Sequence, residues 1–310
     1  MAAGHRPVLL ERAVAALALG PGDSAVDATF GGGGHSRLIL AGLGPDGRLV
    51  GIDRDPAAAG RAADLWEDPR FEFVSSPYDA ALWAMVDEGR TADAILFDLG
   101  LSSFQVDEPG RGFSYVTEGP LDMRMDPGSG ATAADFLNTV DANELVRVLS
   151  EYADVPRGEA RRVAREVIRR RPLAVTTDLY DAVRAAVGWK ERGGNPANRI
   201  FQAVRVVVND ELGSLARALE ASEQLLIPGG RLVVITFHSG EDRLVKRFIS
   251  EREGRCVCPP ELPVCVCGAR PLFRRGEVLT PSAGEVEQNP RSVSARMRTA
   301  TRTAEPSDGV

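Results

Sequence analysis

Ser24-Ala-Val-Asp27-Ala-Thr-Phe-Gly31-Gly-Gly-Gly34-His35-Ser-Arg37 decides how the rest of the chain is read. A short apolar run ending in an acid, four consecutive glycines and a helix-compatible stretch spell a strand, a tight loop and a helix start. Outward from it, β-prone apolar runs recur at 25–27, 49–53, 71–74, 94–98 and 232–237, the first four separated by helix-like stretches. That alternation predicts an α/β fold with a doubly wound, Rossmann-like parallel sheet.

About 130 residues separate the fourth run from the fifth, far more than one crossover requires. Helices are expected there over 132–138, 141–150, 158–170 and 177–187, with Pro156 and Pro172 as breaks. The expected organisation is a core of 1–128 and 203–310 with an inserted helical domain at 129–202. One long helix, with Phe201, Val204, Val208, Leu212, Leu215 and Leu219 on one face, would lead back into the core. Pro228-Gly-Gly would turn the chain into the fifth strand, and the Thr/Glu/Pro/Ser/Gly tail after Arg298 would fray.

The composition, 44% hydrophobic and 26% charged over 310 residues, is that of a folded globular protein. No apolar run reaches the roughly 18 residues of a membrane helix, and the first residues lack a signal-peptide pattern, so a cytoplasmic protein without membrane contact is expected. All four cysteines lie within 256–267, which excludes a secreted disulfide scaffold. Cys256-x-Cys258 and Cys265-x-Cys267 lack the two-residue spacer usual in zinc knuckles; a reduced hairpin is expected and no metal, with zinc as the alternative. Net charge is −7, but residues 1–160 carry 12 basic and 26 acidic groups against 25 and 18 in 161–310. A polyanion on one face is compatible with that asymmetry, as are solvated faces of different sign. Within 158–170, Arg161, Arg165 and Arg169 recur every four residues opposite Val163, Val167 and Ile168, a basic ridge beside an apolar seam.

The glycine loop lets a ligand approach backbone closely, yet it carries neither the Gly-Lys-Ser/Thr ending of a P-loop nor a Gly-x-Gly-x-x-Gly string. Asp53, 19 residues after Gly34 at the end of the second run, is placed to accept hydrogen bonds from ribose hydroxyls. Together they suit adenosine without a pyrophosphate, as in S-adenosylmethionine, and disfavour a dehydrogenase. Asp98 ends the fourth run on the carboxyl edge where ligands of such sheets gather, followed by Leu-Gly-Leu-Ser102-Ser103-Phe104-Gln105; His238-Ser239 ends the fifth. A histidine there either orients a loop or takes part in chemistry.

Across nearly its whole length the chain resembles the 16S ribosomal RNA cytosine-N4 methyltransferase family, RsmH/MraW. The strings are His5-Arg-Pro-Val-Leu-Leu, Asp27-Ala-Thr-Phe-Gly-Gly-Gly-Gly-His-Ser-Arg, Gly51-Ile-Asp-Arg-Asp-Pro, Asp98-Leu-Gly-Leu-Ser-Ser-Phe-Gln-Val-Asp, Arg111-Gly-Phe-Ser, Gly119-Pro-Leu-Asp-Met-Arg-Met-Asp-Pro, Asn195-Pro-Ala-Asn-Arg-Ile-Phe-Gln-Ala-Val-Arg, Phe237-His-Ser and Asn289-Pro-Arg-Ser. The resemblance implies a class I S-adenosylmethionine-dependent methyltransferase with an inserted helical substrate-recognition domain. It implies S-adenosylmethionine as donor and, as acceptor, the N4 amino group of cytosine 1402 (standard numbering) in the decoding centre of 16S rRNA within the small ribosomal subunit. Donor contacts carry over to Gly33, Gly34, His35, Asp53, Tyr78, Asp98 and Gln105. Gly240 departs from the family's usual Leu. Asp98 or a carbonyl near Gly100 is expected to hold the amino N–H groups, with Ser102, Ser103 and His238 orienting the base and Phe104, Phe113 or Tyr115 stacking on it. The residues alone also allow a methyltransferase acting on protein or a small molecule, and the basic second half a nonenzymatic RNA-binding protein.

Overall fold

The computed structural model describes residues 7–188, 195–254, 258 and 271–303, so the proposed hairpin at 256–267 lies outside the described residues apart from Cys258. The chain divides into two compact units, Leu101–Leu212 and Met1–Gly100 joined to Gly213–Val310.

The first unit is built on seven strands, β1 Ser24–Asp27, β2 Arg48–Asp53, β3 Phe71–Ser75, β4 Ala92–Asp98, β5 Leu226–Thr236, β6 Phe273–Leu279 and β7 Arg296–Arg302. Their order is β3-β2-β1-β4-β5-β7-β6. The first five pair in parallel; β7 runs antiparallel to both β5 and β6. Parallel strands covered on both faces read as unbroken apolar runs, and period-2 alternation then sorts their side chains. Val26, Val50, Ile52, Ile95, Phe97, Leu232 and Val234 enter one core, beneath Leu82 of helix Tyr78–Asp87 and Leu215 of helix Glu211–Leu225. Ala25, Leu49, Ala94, Leu96, Val233 and Ile235 enter the other, against helices Leu10–Leu17 and Gly34–Gly42. Each fully buried Leu, Val or Ile stabilises the sheet by roughly 1.5–3 kcal/mol. This is the doubly wound class I methyltransferase sheet.

Two sequence readings of this unit are corrected. Pro228-Gly-Gly does not precede the fifth strand but sits inside it, where the register with β4 shifts between Ala92 and Ala94 and Gly229 takes φ 90°. The stretch after Arg298 does not fray at once: β7 continues through Thr301, paired with Arg231, to Arg302. Its inward residues Met297 and Ala300 are few, and Arg298 between them is held by Asp242 at 2.7 and 2.9 Å.

The second unit packs helices Ala133–Thr139, Ala142–Tyr152, Arg157–Arg170, Thr176–Val187 and Pro196–Val208 around Leu137, Leu145, Val148, Val163, Val167, Leu179, Ile200 and Val204. Their starts follow from local chemistry. Thr132 and Asp135 form a reciprocal capping box, the Asp141 carboxylate accepts from Asn143 N and Glu144 N, and Asn195 caps a helix whose first residue is Pro196.

The expected boundaries at 128/129 and 202/203 give way to Gly100/Leu101 and Leu212/Gly213 because residues 101–128, although aperiodic, bury Phe113, Leu121, Met123 and Met125 in the helical core. The expected long helix is two, interrupted at Asn209 and at Asp210, which takes φ 49°. Asn209 accepts from Met125 N (2.7 Å) and donates to Met123 O (2.8 Å) and Arg205 O (2.9 Å). By unit the charge asymmetry dissolves: 15 basic against 17 acidic residues in Leu101–Leu212, 22 against 27 in the remainder. Among the described residues no helix is long and apolar enough to cross a membrane.

Asn209→Ala leaves two backbone groups of the 123–125 segment without their partner. It is expected to lower the unfolding free energy by about 2 kcal/mol in urea titration, whereas a loss below about 0.5 kcal/mol would show that the latch is dispensable.

Candidate active site

β1 ends at Asp27, whose fully buried carboxylate accepts from Ser36 Oγ (2.6 Å) and Thr29 N (3.2 Å). Burial raises its pKa to about 6 against the opposing pull of those bonds. The two contacts span the glycine loop and fix its bend. Gly31 (φ 56°) and Gly33 (φ 76°) are left-handed. A Cβ on Gly33 would lie 2.9 Å from Phe30 Cε2, and one on Gly34 2.9 Å from Pro7 Cδ. Phe30 in turn packs edge-on against Phe73, centroids 5.3 Å apart. The loop therefore passes close over an aromatic floor and opens into helix Gly34–Gly42, whose N-terminus has no side-chain cap.

Asp53 at the end of β2 accepts from Gly31 N (2.7 Å) through Oδ2 and from Asp55 N (2.8 Å) through Oδ1. Burial raises its pKa and the two N–H groups hold it down. Each oxygen retains a lone pair for a further donor. Arg61 braces the arrangement, its Nε donating to Gly31 O at 2.8 Å.

β4 brings Asp98 beside this loop: Asp98 N donates to Thr29 Oγ1 (2.6 Å). Asp98 Oδ2 lies 3.7 Å from His35 Nδ1, while Oδ1 is buried with no hydrogen-bond partner among the described residues. Burial lifts the Asp98 pKa to about 6; His35 opposes, and the charges of Asp27 and Glu241 add to the rise. Burial likewise lowers the His35 pKa, against the attraction of Asp98. Gly100 follows at φ 95°, where a Cβ would stand 3.4 Å from Phe237. Tyr78 starts the helix after β3 and meets Phe97 edge-on at 5.7 Å.

His238 caps helix Ser239–Glu251. Its Nδ1 accepts from Glu241 N (3.4 Å), its Nε2 lies 3.2 Å from Glu241 Oε1, and Glu241 Oε2 accepts from the Phe237 and His238 N–H groups. These contacts give His238 a positioning job, and the helix forms despite Gly240. Ser102 and Gln105 belong to the helical unit, where they cap helix Ser103–Asp107 reciprocally: Gln105 N donates to Ser102 Oγ and Ser102 N to Gln105 Oε1. Of the expected stacking residues, Phe113 is core and Tyr115 is stacked on Tyr180 at 4.9 Å; Phe104 is 48% exposed. The sequence reading gave Thr29 and Glu241 no part in the site, and Asp27 only the end of the first strand. Only Glu241 left a usable sign there, three residues after a helix-capping position.

The MraW methylase family pattern matches residues 2–303. The chain belongs to that family. Over 305 residues it is 73% identical to "Ribosomal RNA small subunit methyltransferase H" of Rubrobacter xylanophilus, covering 98% of each chain. The protein of the same description from Thermomicrobium roseum is 47% identical over 310 residues, covering 97% of this chain and 94% of that one. A solved rRNA methylase from Streptococcus thermophilus aligns over 97% and 98% of the two chains with TM-score 0.43 and 12% identity, too weak a likeness to bear on the site.

The chain is accordingly an S-adenosylmethionine-dependent methyltransferase. The site's chemistry fits that donor: Asp53 has acceptor capacity left for a diol, the loop allows approach without Cβ atoms, and Asp98 Oδ1, without a hydrogen-bond partner among the described residues, is a free acceptor.

Asp27 and Asp98 bind protons more tightly folded (about 6) than at the unperturbed 3.8, so both should subtract stability as pH rises from about 4 to 6. Asp98→Asn is expected to remove its share, on the order of 3 kcal/mol, making the variant gain on the wild type across that window in calorimetric melting. Parallel pH profiles would show that Asp98 is not so perturbed.

Proposed function

We propose that the chain methylates the N4 amino group of the decoding-centre cytosine at position 1402 of 16S rRNA, within the small ribosomal subunit. Support for the RNA class comes from relatives named for the small-subunit ribosomal RNA that align along the whole chain, at 73% and 47% identity. The observation that carries the chemistry is Asp98: a carboxylate at the end of β4 with one buried oxygen unpartnered.

When bound, S-adenosylmethionine would supply an electrophilic methyl group, its sulfur–methyl bond breaking with the electron pair left on sulfur as a neutral thioether. A cytosine amino lone pair is delocalised into the ring, so the protein must both align the nitrogen and enrich it. Asp98 Oδ1 accepts one amino N–H, which raises electron density on N4 and fixes its direction. As the N–C bond forms, N4 becomes cationic; Asp98 takes the surplus proton, a task suited to a carboxylate lifted to about 6. Asp53 holds the donor's ribose, Gly33 and Gly34 admit it, and His35 sets the Asp98 carboxylate. Tyr78 and Gln105 are carried as donor contacts on the family resemblance. His238 acts through Glu241 on the loop at the end of β5, and Ser102 through its cap.

Small subunits lacking the modification, incubated with labelled donor and mapped by mass spectrometry, should carry one new methyl group on that cytosine; a label on protein or on another base overturns the assignment. Asp98→Asn should reduce turnover at saturating donor by about 10²-fold or more, beyond any loss of donor affinity. Activity within a few-fold of wild type would remove Asp98 from the chemistry.

A further inference from the structure

Helix Arg157–Arg170 buries Ala160, Val163, Ala164 and Val167 and exposes a row of arginines. The row differs along its length. Arg169 and Arg170 share Glu166, at 2.7 and 3.5 Å, and the closer pair takes Arg169 out of the expected ridge of Arg161, Arg165 and Arg169. Arg157, Arg161 and Arg165 are exposed and have no carboxylate partner among the described residues. Elsewhere in the unit, Arg147 pairs with Glu144 and Glu151, Arg124 with Asp122 and Arg205 with Glu211.

Nothing in the helix's own energetics favours this row. Arg157 stands in the first turn, where the positive end of the macrodipole repels a cation. Arg157, Arg161 and Arg165 follow one another at i,i+4, a like-charge spacing that destabilises a helix. The unit as a whole is slightly acidic, so the row is not a by-product of basic composition. Three unpaired guanidinium groups, stepped about 6 Å apart along the helix axis, match a repeating anion. Guanidinium forks bind phosphate oxygens in bidentate fashion.

We infer that Arg157, Arg161 and Arg165 form a docking ridge for the phosphodiester backbone of the RNA substrate. The inference rests on the RNA reading given above and adds the surface that would hold the strand. The ridge takes no part in donor binding or in the methyl-transfer step.

The test measures binding of a naked 16S rRNA fragment containing the decoding-centre helix between about 50 and 200 mM salt. Three proteins are compared: wild type, Arg157→Gln/Arg161→Gln/Arg165→Gln, and the paired-arginine control Arg147→Gln/Arg169→Gln/Arg170→Gln. The ridge variant should bind more weakly, with a log–log salt slope shallower by about 2 to 3 because fewer counterions are released. Its donor affinity should be unchanged and its melting temperature unchanged or higher, since like-charge repulsion is relieved. The control should keep the wild-type slope. An unchanged slope in the ridge variant, an equal change in the control, or a lower melting temperature overturns the proposal. Weakened binding to assembled subunits with unchanged binding to naked RNA also overturns it, pointing to an acidic protein surface. Failure of the wild type to bind either the naked fragment or assembled small subunits removes the substrate reading itself, an outcome distinct from all of these.

Discussion

The site depends on the parallel pairing of β1 with β4, in the register Ala25↔Ala94, Val26↔Ile95, Asp27↔Leu96. β2 and β3 wind away from β1 on one side, and β4 and β5 lie on the other, so this pair is the place where the direction of winding reverses. At such a reversal the loops leaving the two strands part and open a crevice at their carboxyl ends. Everything assigned to the donor enters through those loops or the next strand: Gly31–Gly34 after β1, Asp53 at the end of β2, Asp98 at the end of β4. A one-residue slip in the pairing would turn Ile95 and Phe97 to the opposite core and carry Asp98 away from Thr29.

That register also concentrates acid. Asp27 and Asp98 are buried near one another, each with its pKa lifted to about 6, while Asp53 is raised in the same direction. The two carboxylates differ in what satisfies them. Asp27 has Ser36 and Thr29 and serves the loop's shape; Asp98 keeps an oxygen with no partner. The two hydrogen bonds offset part of the cost of burying Asp27, whereas an unsatisfied carboxylate oxygen is a standing penalty that a folded chain retains where a ligand supplies the missing donor. That difference is the ground on which Asp98, and not Asp27, is proposed to act in the chemistry.

The sequence disclosed β1, β2, β4 and β5 because most of their residues are buried and so read as apolar runs, as in Leu232–Ile235, while β3 at the edge is only partly covered. β7 escaped notice for the opposite reason: Arg298, lying between its inward residues, is neutralised by Asp242 from a distant helix, a compensation no local window contains. The division at Asn209 was hidden because the apolar stripe runs on through it, and its cause is a hydrogen-bonding partner some 80 residues earlier in the chain. Segment 101–128 joins the helical unit through scattered Leu121, Met123 and Met125, which have no period to read. Asp53 and Asp98 end β2 and β4, as their strand-end positions in the sequence lead one to expect. Strand-end position could not separate a reacting role from a scaffolding one for His238, because that depends on Glu241 folding back onto the cap.

The central claim is that the carboxyl edge of β1, β2 and β4 holds the methyl donor. A crystal structure with S-adenosylhomocysteine bound tests it most directly. The account predicts both ribose hydroxyls within hydrogen-bond distance of the Asp53 carboxylate, the nucleoside lying against Gly33 and Gly34, and the Asp98 carboxylate facing the sulfur end. A nucleoside seated away from Asp53, or an Asp98 Oδ1 still unpartnered and turned from the ligand, would contradict it.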